Sequence, residues 1–224
     1  MLVAQDYRLV LLLIGVIMAG YNHPFQVEVR GLAGRLGVVS LGPGRVTAWD
    51  LVKQVHSEFQ PPSGMFLKLV IDDEPLTEKD IVITSVSAVT CVKCSPAKDK
   101  QEDAVRAVEL LLCDGRSLDA LPLETHLIWN TLQSLTFGKS SDFSTQFDQS
   151  MDNVALPSGL QSLTFGYGFN QSMDNVTLPS GLQSLTFGVF FNQIMDNVTL
   201  PSGLQSLSFG HQFQSEHAQY GFAQ

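Results

Sequence analysis

The chain is poor in the residues that most site chemistry requires. Three cysteines in 224 residues, Cys91, Cys94 and Cys113, exclude a disulfide framework. Cys91-Val-Lys-Cys94 has CxxC spacing, but no second pair accompanies it, and the nearby candidates for further zinc ligands are Cys113 and His126. On a strand, positions three apart face opposite sides, so all three cysteines read as structural and no metal site is expected. Cations are scarce in one half: residues 1–100 hold 10 basic and 10 acidic side chains, whereas residues 101–224 hold 3 and 12. So few cations cannot neutralise a phosphate backbone, which excludes nucleic acid as a partner of that half. The acidic excess serves solubility instead.

Catalytic signatures are also missing. There is no GxSxG elbow, and Gly42-Pro-Gly44 lacks the Gly-Lys-Ser/Thr ending of a phosphate loop. His23, His56, His126, His211 and His217 stand apart, with no nucleophile at a telling spacing. Asp152, Asp174 and Asp196 recur along the chain and read as turn caps rather than as a calcium site. No catalytic residue, metal or cofactor is therefore expected, and the chain is not read as an enzyme.

Long apolar runs are absent as well. Leu9–Ala19 is uninterrupted but covers 11 residues, short of the roughly 20 that a membrane span needs. It has the length of a signal-peptide core, with Ala19 and Gly20 at the place of a cleavage site, although Asp6 does not suit the preceding segment. An extra buried strand and an N-terminal extension fit it equally.

The residues that are present fall into two parts. Phe25-Gln-Val-Glu-Val-Arg30 alternates apolar and polar residues as a half-buried strand does. Gly31-Leu-Ala-Gly34 turns the chain into a second strand at Leu36–Leu41. Thr47-Ala-Trp-Asp50 has capping-box form, and Ala48, Leu51, Val52, Val55 and Phe59 then line one helical face up to Pro61-Pro62. Phe66–Ile71 and Ala88–Lys93 read as further strands. The order ββαββ describes a β-grasp.

This region, about seventy residues, resembles ubiquitin. The likeness rests on order and spacing: a turn with Leu-x-Gly at Leu32-Ala-Gly34, the Pro61-Pro62 step, the strand around Leu69-Val70-Ile71, a turn at Leu76-Thr-Glu78 and a final strand. The resemblance implies an interaction patch at Leu32, Val70 and Val92. Alternation along the strands independently turns Val70 and Val92 outward if Leu69, Ile71, Val89 and Cys91 point inward. No free Gly-Gly terminus comes after Val92; the chain runs on through Lys93-Cys-Ser-Pro96. The resemblance thus implies an integral domain that docks on readers of the ubiquitin surface and is not conjugated to a target.

Ser95–Asp103 is charged and reads as a linker, and Ala104–Cys113 as a helix covering the first edge of a repeat array. In that array, Leu132–Gly138, Leu160–Gly166, Leu182–Gly188 and Leu204–Gly210 read LQSLTFG, LQSLTFG, LQSLTFG and LQSLSFG. The last three start 22 residues apart. A unit that short buries its apolar face only by stacking on its neighbours, so the pattern predicts a solenoid. Leu163 and Phe165 should point into the core, with Phe169, Met173, Val176 and Leu178 completing the filling. Leu132 to Leu160 is 28 residues, yet Phe147, Phe169, Phe191 and Phe213 keep the 22-residue beat, so six extra residues lie within 139–146. The unit FNQSMDNVTLPSGLQSLTFG resembles the FNIP repeat, a leucine-rich-like family, over about residues 132–213.

The outer face of these coils should carry Gln161, Gln183 and Gln205 in one row and Thr164, Thr186 and Ser208 in another. Such uniform rows suit hydrogen-bonding ladders better than a specific epitope. Asn170, Asn175 and Asn197 each begin a glycosylation sequon.

The expected architecture is α+β: an apolar segment at 1–22, a ubiquitin-like domain at 23–95, a linker and capping helix at 96–119, a leucine-rich-repeat-like β-solenoid of about four 22-residue turns at 120–213, and a tail at 214–224. The expected function is a non-catalytic, cytoplasmic adaptor with protein partners, ubiquitin-surface readers among them, and no membrane span. The alternative is a secreted or surface-exposed glycosylated repeat protein with a purely structural β-grasp, if Leu9–Ala19 is a signal-peptide core. The sequence does not set the oligomeric state.

Overall fold

The computed structural model describes residues 25–83, 88–138 and 146–213. The apolar run at Leu9–Ala19, residues 139–145 of the segment that holds the six extra residues, and the tail beyond 213 lie outside the described residues. The chain forms two compact units that divide between Ser95 and Pro96.

In the first unit, β1 (Phe25–Gly31) and β2 (Gly34–Leu41) form an antiparallel hairpin. Helix α1 (Ala48–Glu58) comes next, then β3 (Phe66–Ile71), the two-residue β4 (Glu74–Pro75) and β5 (Ala88–Cys94). The sheet order is β2-β1-β5-β3-β4, with β1 and β5 parallel and the other pairs antiparallel. Val27, Val29, Leu69, Val89 and Cys91 line the buried side of the sheet, and Leu51, Val52 and Val55 are buried from α1.

The start of α1 is held twice. Thr47 and Asp50 form the capping box: the Asp50 amide donates to Thr47 Oγ1 (3.2 Å), and the Thr47 amide donates to Asp50 Oδ2 (3.0 Å). The amides of Ala48 and Trp49, between the two capping residues, donate to the carbonyls of Ile81 (2.7 Å) and Lys79 (3.2 Å), which ties the loop before β5 to the helix. At the other end, the Phe59 ring lies over Gly37, where a Cβ would approach Phe59 Cζ to 2.8 Å. Asp72 and Asp73, both at positive φ, make the tight β3–β4 turn. Sequence patterning shows no separate strand at Glu74–Pro75, because two exposed residues carry no alternation.

The second unit opens with α2 (Lys98–Cys113), a short 3-10 turn (Leu118–Ala120) and α3 (Leu123–Thr131). Two expectations are corrected here. Lys98–Asp103, read as linker, forms the first turns of α2, with Lys98–Glu102 and Lys100–Asp103 spaced as helical ion pairs. Residues 123–131, placed in the repeat array, are helical. Strands β6 (Ser134–Phe137), β7 (Ser162–Phe165), β8 (Ser184–Thr186) and β9 (Ser206–Ser208) then form a parallel sheet in chain order, paired like on like: Leu135 with Leu163, Leu163 with Leu185, Leu185 with Leu207.

Each coil is closed by two hydrogen-bonded turns, at Met-Asp-Asn-Val and at Pro-Ser-Gly-Leu. Between coils, one glutamine carbonyl accepts two amides of the next: Gln133 from Gln161 and Ser162, Gln161 from Gln183 and Ser184, Gln183 from Gln205 and Ser206, at 2.8 and 3.0 Å each time. The core is a double column of phenylalanines. Phe137, Phe165, Phe187 and Phe209 stack at 5.8, 5.5 and 5.5 Å. Phe147, Phe169, Phe191 and Phe213 stack at 6.2, 6.1 and 6.1 Å, and within a coil the two rings lie as close as 3.9 Å. Near-parallel rings at these separations add directional aromatic attraction to burial. The helices close the first coil: Val108 of α2 and Trp129 of α3 belong to the same buried cluster as Leu135 and Phe137.

Candidate functional site

The residues singled out in the sequence lie on two surfaces, one on each unit. In the first, Leu69 pairs with Cys91 and both are buried, so their neighbours Val70 and Val92 belong to the opposite face of the sheet. Val92 sits opposite Lys68, which places Val70 diagonally across from it. Arg30 pairs with Thr90 in the parallel β1–β5 ladder, so Leu32 lies in the hairpin turn at the level of Val92. Leu32 just past the end of β1, Val92 on β5 and Val70 on β3 thus belong to three neighbouring strands or their ends. Leu32 is 84% exposed, and Val70 and Val92 are half-buried. The same face carries Glu28 and Arg30, joined by a 2.7 Å ion pair; the hydrogen bond from Arg30 lowers the Glu28 carboxyl below its usual range.

Two groups in this unit serve packing. His56 is half-buried, with Nδ1 3.0 Å from the Val52 carbonyl and Nε2 accepting from the Leu67 amide at 3.0 Å. An acceptor Nε2 carries no proton, so Nδ1 holds it and the ring is neutral. Burial lowers its pKa, in agreement. Cys91 is buried, and burial raises its thiol to about 11, which makes it a poor nucleophile. Cys94 lies on the same strand and Cys113 is exposed on α2; all three are free thiols. Among the described residues no group of three His, Cys, Asp or Glu could hold a metal ion, and no helix is long and apolar enough to cross a membrane.

On the second unit, the strand residues alternate cleanly. Leu135, Leu163 and Leu185, with Phe137, Phe165 and Phe187, are buried; the outer row Gln161, Gln183, Gln205 is exposed. Thr164 and Thr186 are half-buried and Ser208 exposed, in register on adjacent strands. The outer face is a flat pattern of amides and hydroxyls repeated once per coil.

Sequence reasoning missed a second ladder on the return side. The Asn170 amide donates to Asp148 Oδ1 and the Asn192 amide to Asn170 Oδ1, each at 2.8 Å, while Gln171 and Gln193 side chains reach the same acceptors at 3.0 Å. The signal was the recurring Phe-Asx-Gln at 147–149, 169–171 and 191–193. This separates the three sequons: the Asn170 side chain is engaged between coils, whereas Asn175 and Asn197 are exposed in turns. Also missed was Glu109, whose Oε1 accepts the Gly138 amide at 2.6 Å. In the next coil the equivalent amide, of Gly166, donates to the Phe137 carbonyl. Glu109 stands in for the carbonyl of a preceding coil. Desolvation raises its pKa, opposed by that hydrogen bond.

The family model for the FNIP Repeat matches residues 147–190, within the second unit. A crystal structure described as that of CroV588, a novel circular LRR protein structure, is 37% identical and covers 38% of this chain and 15% of that one, with a TM-score of 0.31. This chain therefore spans a small part of that protein's length. No curated protein matches the chain. The repeat part of the sequence reading is met by the FNIP match and by the parallel coils themselves.

Proposed function

We propose that the chain is a non-catalytic, cytoplasmic interaction adaptor, in which an integral ubiquitin-like β-grasp is followed by an FNIP-type scaffold. The observation that carries this reading is the first unit's mixed sheet, with its outer strands added around a parallel β1–β5 centre and Leu32, Val92 and Val70 on one side. One exposed and two half-buried apolar residues grouped on one face favour a protein partner, here a domain that reads the ubiquitin surface. The chain continuing through Pro96 into α2 leaves this unit a docking module and not a conjugated tag. The solenoid spaces or presents it.

The test is binding of a ubiquitin-interacting helix to the full chain. Val70→Ala and Leu32→Ala should each weaken it by about tenfold, the usual scale for truncating a central interface anchor. No binding to the parent chain sinks the reading. The exposed positions of Asn175 and Asn197 favour a second reading, a secreted glycosylated repeat protein. Its signature is added glycan mass on those asparagines, with loss of about the first twenty residues, in chain recovered from eukaryotic cells.

A further inference from the structure

On one side of β3, β5 pairs with Phe66–Val70; on the other, β4 pairs only with Val70 and Ile71. At Leu67 the described residues place no strand on that second side, and the imidazole of His56 takes its place. The Leu67 amide donates to His56 Nε2 at 3.0 Å. Leu67 is 2% exposed, so water offers its amide no ready alternative. The other ring nitrogen, Nδ1, donates to the Val52 carbonyl one turn back on α1, also at 3.0 Å. A single ring thereby joins α1 to β3 and uses both of its nitrogens.

Only the neutral ring can do this. In the imidazolium both nitrogens donate, so a proton at Nε2 would set two N–H groups against each other. The ring must then leave, and a buried amide left without an acceptor costs more than a hydrogen bond contributes. No nearby carboxylate is placed to compensate the new charge. On α1, Asp50 is paired with Lys53 (3.0 Å) and Glu58 accepts from Gln54 (2.8 Å). On β2, Arg35 lies opposite Arg30; on β3, Lys68 alternates to the face opposite Leu67. In the loop before β5, Lys79 lies over the Trp49 ring at 4.9 Å and Asp80 is exposed. The influences on His56 are burial, which lowers its pKa, and the Val52 carbonyl, which opposes it.

We propose that His56 is a proton-sensitive latch between α1 and β3, closed at neutral pH and released in mildly acidic surroundings, and that the face carrying Val70 loosens with it. The effect on binding rests on the docking reading of that face; the latch itself does not. An unfolded ring takes up its proton below about pH 6.5, whereas the folded ring holds out to a lower value. The latch's contribution is therefore complete above the unfolded value. As pH falls from there to the folded value, the folding constant drops about tenfold per unit. His56 is the only histidine among the described residues of this unit. The Glu28 and Asp50 carboxyls are held below their usual range and titrate lower still.

The experiment is amide hydrogen exchange of the full chain between about pH 7.5 and 5.5, a range that brackets the unperturbed histidine value. Exchange is read over Phe66–Leu69 and α1, relative to intrinsic rates, in the parent and in His56→Gln, which keeps an acceptor but does not titrate. Protection of Leu67 in the parent should fall by about tenfold across the range, while it stays level in His56→Gln. Level protection in the parent, or an equal fall in both proteins, overturns the proposal. So does an NMR titration in which the His56 ring protonates at or above its unperturbed value. If His56→Gln does not fold, the exchange and ring titration of the parent decide alone. Affinity for a ubiquitin-interacting helix should fall over the same range in the parent and not in the variant. Absence of binding at every pH refutes the docking reading, and the exchange result, which needs no ligand, still decides the latch.

Discussion

Replacing Gly188 by alanine should break the solenoid at one defined interface. A Cβ built there falls inside the contact radius of the Gly166 carbonyl oxygen and 2.9 Å from Tyr167 Cα. Both are backbone atoms, so no rotamer change relieves the overlap. The third coil must move away from the second. Doing so stretches the bonds from Gln183 and Ser184 to the Gln161 carbonyl and opens the Phe165–Phe187 stack at 5.5 Å. Overpacking alone costs about 1–3 kcal/mol, and a gap of about 0.5–1 Å forfeits a quarter to a half of each dispersion contact across it. The loss should total about 3 kcal/mol or more, or roughly 1–2 M in urea midpoint for a unit of this size. The assay is urea unfolding followed by Trp129, which is 0% exposed, in a Trp49→Phe background that silences the other unit. Gly159→Ala is the control, since a Cβ there meets nothing within 4 Å; it should change stability by about 0.5 kcal/mol or less. Equal midpoints for the two variants would refute the argument from coil contact.

Thr47→Ala should cost the first unit about 1 kcal/mol by removing the capping box. The Asp50 carboxyl is held down to about 2, first by the Thr47 amide and then by its hydroxyl; the carboxylate's contribution is therefore complete above its unfolded pKa near 4 and lost as pH falls toward 2, which acid titration of the parent and not of Asp50→Asn should show. Glu109→Ala should speed exchange of the Gly138 amide and cost about 1–3 kcal/mol, while Glu109→Gln, which keeps an acceptor, should cost less. Because burial raises the Glu109 pKa, the ionised group is disfavoured in the fold: its penalty is absent below the unfolded value and grows as pH rises through the folded one. Asn170→Ala should destabilise the solenoid by about 1–3 kcal/mol through the orphaned Asn192 amide, whereas Asn175→Ala in its exposed turn should change stability by about 0.5 kcal/mol or less; equal losses in thermal unfolding would refute the ladder.

The repeats were legible because their period is enforced by packing. A residue facing the core must meet its own counterpart one coil on, so Leu163, Phe165 and Phe169 recur unchanged and announce their burial. The capping box was legible for a different reason: Thr47 and Asp50 satisfy amides within their own turn, and such local bonding leaves a local signature. Helix α3 left none. Its start at Pro122 has no side-chain cap, and Leu123, Leu127, Ile128 and Trp129 are buried around more than one face, so no apolar stripe forms. The start of α2 was hidden by its charges, whose i,i+3 and i,i+4 pairing matters only once the helix exists.

The same contrast decides what the outer surfaces reveal. Where a side chain's partner is another copy of the same repeat, as with the phenylalanine columns and the Asp148–Asn170–Asn192 ladder, the partner is written in the chain. Where the partner is another molecule, only one half of the contact is present. The face proposed at Leu32, Val70 and Val92 would be such a half, and the rows of Gln161 and Thr164 are too uniform to single one out.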